Sequence, residues 1–181
     1  MDTTYTYKDY NSAIVSIIGS YTNCEPILDK TTLYDAILEE GKKILRKEDE
    51  EYFGKVNDAE ADTCREGYRG IVQLTESDNL SEFYSNLGGM ILLQPVVIYK
   101  YMVTHKWNSR KQLVLLLHCL LEHERIHRLQ QFDSSSIPNY DTVHDLLPQE
   151  IEAERMSYLK LLKLCNLEDG YKLEHITTTS V

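Results

Sequence analysis

The stretch from Ser109 to Gln131 reads SRKQLVLLLHCLLEHERIHRLQQ. Ser109 and Gln112, three residues apart, make the pattern of a capping box, so the leucine-rich run behind them is expected to be a helix extending to about Gln131. At 100° per residue His123 and His127 lie about 40° apart, and both imidazoles can reach one ion from one face. Leu113, Leu116 and Leu120 fall within about 80° of His123 on the same wheel, so the apolar stripe continues into the two histidines and turns them inward. Glu124 sits on the rim of that face, about 100° from His123. That position suits a general base toward a water activated by an ion better than it suits a ligand. His118 and Glu122 fall on the far side and are expected to be solvated.

A catalytic zinc normally takes three protein ligands, and two histidines leave one to be found. The stretch from Pro148 to Asn166, PQEIEAERMSYLKLLKLCN, supplies candidates. Pro148 is a favourable first-turn residue, so a helix is expected from there to about Asn166. Glu150 and Glu154 share the face that carries Leu161 and Leu164, whereas Glu152 points out with Arg155 and Lys163 and should tolerate alanine. Two carboxylates on a buried face are costly without a cation facing them. The wheel leaves open which of Glu150 and Glu154 is the third ligand. Tyr158, on the inner half of this helix, is a candidate donor to a transition-state oxyanion, with Tyr140 in the preceding loop as another. His144, in the same loop, reads as a surface histidine.

H-E-x-x-H at His123 to His127, followed after a loop by E-x-E-A at Glu150-Ile151-Glu152-Ala153, resembles the gluzincin metallopeptidases, especially the small minigluzincin, ImmA/IrrE-like and M48-like kinds. The resemblance covers about Ser109 to Cys165. It implies Zn2+ as cofactor, His123, His127 and Glu150 as its ligands, Glu124 as the catalytic base, and Glu154 as a hydrogen-bond partner of a histidine ring. The pattern departs at Arg125, where an apolar residue is commoner, at Ile126, where a small one is, and at Glu154, where aspartate is frequent. The implied fold is α+β, a small single zincin-like domain with a short sheet beside the H-E-x-x-H helix and a glutamate-bearing helix after it. The β-branched and aromatic run from Met90 to Tyr99 is expected to supply that sheet, with Pro95 at an edge strand or bulge because it cannot donate to a ladder.

The remaining sequence bounds this reading. With 181 residues, 42% apolar and 27% charged, the chain suits one globular domain, taken as 1–181 with 109–166 carrying the metal-site helices. A net charge of −10 argues against nucleic acid as partner. No segment has the roughly 20 uninterrupted apolar residues of a membrane span, and the first residues lack the features of a secretory signal, so a cytoplasmic address is expected. Cys24, Cys64, Cys119 and Cys165 form no C-x-x-C pair, and Cys119 and Cys165 are expected to pack as small hydrophobes. Leu33, Ile37, Leu38, Ile44 and Leu45 predict an amphipathic helix behind Thr31-Thr32, Ile71 to Leu74 a short strand, and Phe132 to Asp145 a loop. Tyr5, Tyr7, Tyr10 and Tyr21 are expected to pack on the surface.

The expected function is a zinc metallopeptidase acting on a peptide or protein substrate, with the oligomeric state open. Two rival readings use the same residues. In one, His123 and His127 hydrogen-bond Glu150 and Glu154 in a metal-free network. In the other, a non-catalytic interaction protein keeps the fold, with or without zinc. A carboxylate-bridged di-iron bundle would need a second E-x-x-H, which the chain lacks.

Overall fold

The computed structural model describes residues 5–21, 33, 35–37, 39–41, 43–44, 80–84, 90–93, 95–130 and 147–173. Helix dominates them: α1 (Tyr7–Gly19), α2 (Pro95–Thr104), α3 (Arg110–Gln130), α4 (Pro148–Cys165) and the helical positions within 33–44. Extended structure among the described residues amounts to β1 (Ser81–Tyr84) and β2 (Met90–Leu93), one antiparallel pairing with Ser81 opposite Leu93.

The expected α+β fold is therefore corrected to a helical assembly. The run expected to build a sheet turns helical at Pro95. Proline is disfavoured inside a sheet but suits the first position of a helix, where its missing N–H is unneeded and its fixed φ is already helical. Beyond it Ile98 and Met102, one turn apart, are both buried. Burial at helical spacing overrides the extended preference of Val97, Ile98 and Tyr99. The expected strand at 71–74, the loop at 132–145 with Tyr140 and His144, Cys24 and Cys64 lie outside the described residues.

α1 has no counterpart among the sequence expectations, yet its local logic is plain. Thr6 accepts from the Asp9 N–H while Asp9 accepts from the Thr6 N–H, a reciprocal capping box. Tyr10, Ala13, Ile14, Ile17 and Ile18 form its buried face. Tyr10, expected at the surface, is buried with its ring 5.6 Å from that of Tyr158.

Just past the end of α2, Lys106 has a positive φ of 59°, which lets the Trp107 N–H reach back to the Met102 carbonyl at 2.8 Å. Trp107 is thereby buried against Tyr101 and His105. The capping box expected at the start of α3 is present: Ser109 N–H donates to Gln112 Oε1 and Gln112 N–H to Ser109 Oγ, both at 3.1 Å. The same two side chains donate to the carbonyls of Tyr21 and Ile18, tying the end of α1 to the start of α3. At that end Arg110 also pairs with Glu40 at 2.8 Å.

α3 is the central element, and it packs most extensively against α4. Leu113, Leu115, Leu116, Leu117, Cys119 and Leu121 are all buried, which spreads its apolar surface well beyond one stripe. Glu122 consequently does not reach solvent as expected. It is buried and accepts from both Nε and Nη2 of Arg125, also buried, one turn further along. A charge on the inward side of a helix stays there when a hydrogen-bonded counter-charge accompanies it.

One interhelical clasp sets the register of α3 on α4. The Ser157 hydroxyl donates to the Cys119 carbonyl at 2.7 Å, and the Cys119 thiol faces the Ser157 carbonyl at 3.9 Å. One turn onward from Cys119 lies His123 and two turns onward His127. One turn back from Ser157 lies Glu154 and two turns back Glu150. Antiparallel helices clasped at 119 and 157 must therefore bring His123 toward Glu154 and His127 toward Glu150.

Candidate metal centre

The register delivers the four side chains to one place. His123 Nε2 lies 3.0 Å from Glu150 Oε2, and His127 Nε2 lies 2.9 Å from Glu150 Oε1 and 3.1 Å from Oε2. The two Nε2 atoms are 3.1 Å apart. His123, His127 and Glu150 thus form a group that could hold a metal ion. The site is shielded but reachable, with side chains 11%, 15% and 12% exposed for His123, His127 and Glu150. Glu150 stands in the first turn of α4, where the helix macrodipole favours a negative charge.

The opposite ring edges are also committed. His123 Nδ1 lies 3.2 Å from Glu154 Oε2. His127 Nδ1 donates to Gln130 Oε1 at 2.8 Å. The Gln130 amide cannot be reversed without losing two bonds, because its Nε2 donates to the Gln149 carbonyl and to Glu152 Oε2 at 3.0 and 3.2 Å. Gln130 therefore presents its oxygen to His127 and fixes the proton on Nδ1. Glu154, as an acceptor, does the same for His123. Each neutral ring is left with its Nε2 lone pair turned toward the other and toward the Glu150 carboxylate.

Three electron pairs converging at about 3 Å need positive charge between them. Without a metal, protons supply it. Burial opposes charge on His123, but hydrogen bonds to Glu150 and Glu154 and the nearby Glu124 outweigh it and raise its pKa to about 10. Burial opposes charge on His127 too, and Glu150 again prevails, raising its pKa. For Glu150 burial works against ionisation, yet the two histidines hold its carboxyl well below the usual range. A single dication fits the same donors without two N–H groups meeting. Tetrahedral zinc, with bonds of about 2.0–2.1 Å, spaces its ligand atoms roughly 3.3 Å apart, a few tenths of an ångström from the separations present here.

Glu124 is buried, and its Oε1 accepts from the Ser81 hydroxyl at 3.0 Å. Burial raises its pKa, outweighing the attraction of His123 and His127 and the bond from Ser81. The hydroxyl of Tyr158 donates to the Tyr171 carbonyl at 2.9 Å, so its one proton is committed to backbone and not to an oxyanion. The Tyr7 ring stands nearly perpendicular to that of His123, centroids 6.4 Å apart.

Sequence reasoning missed Gln130, Ser81 and Tyr7. Gln130 was legible, since it stands three residues past His127 on the same helix face. Ser81 and Tyr7 reach the site across the fold and leave no local signal. Glu152 is exposed, as expected, and accepts from the same Gln130 amide that the Gln149 carbonyl also holds.

Two predictions arise from this geometry. With a zinc ion held by His123, His127 and Glu150, Glu154→Ala and Gln130→Ala would each remove a partner that orients a ligand and leave the ligand in place, and affinity would fall about 10- to 100-fold. Competition against a chelator of known affinity measures both. The second concerns pH. The raised pKa of His123 gives metal-free protein a stability that is fully present below about pH 6.5 and lost as pH rises through about 10. Its melting temperature should fall across that interval. A zinc ion bound there would have to displace the same protons, so its affinity would rise with pH, as paired melting curves of chelated and zinc-supplemented protein across pH would show.

No protein-family model, no curated protein and no solved structure matches this chain. Among the described residues no helix is long and apolar enough to cross a membrane.

Proposed function

We propose that the chain is a zinc-dependent peptidase of gluzincin-like type, with His123, His127 and Glu150 as metal ligands and Glu124 as general base. The observation that supports it most is the convergence of three ligand atoms while both Nδ1 edges are held from behind, by Glu154 and by Gln130. A metal-free network would need only one hydrogen bond from each imidazole. A proton shared between the two Nε2 atoms would account for their 3.1 Å approach, whereas one ion answers both imidazoles and Glu150 together.

Held by His123, His127 and Glu150, zinc would supply a Lewis acid that polarises a carbonyl and lowers the pKa of a water toward about 7. Glu124 then takes the proton of the attacking water and returns it to the leaving amine as the C–N bond breaks. Burial raises its pKa above the ordinary carboxylate value, the direction that suits a group that must hold a proton before returning it. The substrate is a peptide or protein. A cytoplasmic setting belongs to the same reading.

The expected result is close to one zinc per chain by elemental mass spectrometry of native protein, and a thermal shift when zinc is returned to chelated protein. No bound metal and no shift would sink the proposal. Stoichiometric zinc with no cleavage of a broad peptide library would instead favour a non-catalytic interaction protein that keeps the metal.

A further inference from the structure

Ser81 stands 43 residues before Glu124, yet its hydroxyl donates to Glu124 Oε1 at 3.0 Å. It opens β1 opposite Leu93, which is fully buried, so this end of the hairpin is anchored where β1 meets α3. Among the described residues Ser81 is the one hydrogen-bond donor to Glu124. The last torsion of a glutamate is broad, so an untethered carboxylate spreads over many orientations. A bond on Oε1 removes that freedom and leaves Oε2 to take a proton.

We infer that Ser81 is the positioning residue of the site, holding Oε1 of Glu124 so that Oε2 faces an acid bound at the metal. The inference rests on the metal-centre reading above and adds a role for the hairpin: it sets the orientation of the base.

The probe is acetohydroxamic acid with zinc-loaded, full-length protein. Acetohydroxamic acid held at the metal would donate its O–H to the free Oε2 of Glu124, so its affinity reports how well that carboxylate is aimed. Ser81→Ala is expected to leave zinc affinity unchanged and to weaken acetohydroxamate roughly tenfold, the scale of one hydrogen bond to a charged group. Ser81→Thr, which keeps the hydroxyl, should restore the native value. In a Glu124→Gln background the Ser81→Ala change should cost nothing further, because the two residues act as one unit.

Several results overturn the inference and leave the metal centre standing: equal acetohydroxamate affinity in native and Ser81→Ala protein, failure of Ser81→Thr to restore it, or an undiminished loss in the Glu124→Gln background. Loss of zinc together with acetohydroxamate in Ser81→Ala also overturns it, since Ser81 would then support the fold and not the carboxylate. Native protein that binds zinc but not acetohydroxamate does the same. Native protein that binds no zinc overturns the metal centre itself.

Discussion

Replacing Glu150 by alanine is expected to lower zinc affinity by more than the roughly 100-fold that bounds the loss of an outer partner. Among the described residues Glu150 is the one carboxylate that touches both Nε2 atoms, whereas Glu154 meets the rear edge of His123. Chelator competition on Glu150→Ala beside Glu154→Ala reads the contrast, with circular dichroism checking that both fold. Retention of zinc in Glu150→Ala with its loss in Glu154→Ala would exchange the two roles. A second readout needs no metal. Burial pulls the His123 pKa down and Glu150 is first among the groups that push it up, so in metal-free Glu150→Ala protein that pKa should fall from about 10. Imidazole NMR across pH follows it directly.

Glu124→Gln should keep zinc and abolish turnover, with a loss on the order of 10²- to 10⁴-fold, the usual contribution of a positioned general base. The amide still offers an oxygen to the Ser81 hydroxyl, so the hairpin stays in place. It also removes a buried group that is costly to ionise, so the melting temperature should not fall. A Glu124→Gln protein that cleaves a peptide as fast as the native protein would take this residue out of the mechanism.

How much of this was legible in the sequence depended on how local the cause was. α3 and α4 are announced by a capping box at Ser109 and Gln112 and by a first-turn proline at Pro148, and each lies within a residue or two of the expected bounds. The inward pairing of His123 and His127 with Glu150 and Glu154 follows from helical periodicity plus a partner helix. Glu122 was misplaced because a wheel assumes one buried face, whereas α3 is central and buries its far side too. Pro95 was misread because proline punctuates both strands and helices. What decided between them was the burial of Ile98 and Met102, a tertiary fact. The helix α1 went unseen although Thr6 and Asp9 cap it, since tyrosines interleaved with polar residues hid its apolar spacing.

The clasp between Ser157 and Cys119 gives the centre a phase as well as a composition. Both histidines are counted in turns from Cys119, and both glutamates in turns from Ser157. Deleting one residue between Glu154 and Ser157 would leave H-E-x-x-H and E-x-E-A intact, yet it would swing both carboxylates by about 100° around the axis of α4. Two chains with the same motifs could then differ in whether they hold an ion at all. What tells them apart is the interval that separates the glutamates from the point where the helices are pinned, a quantity that no motif contains.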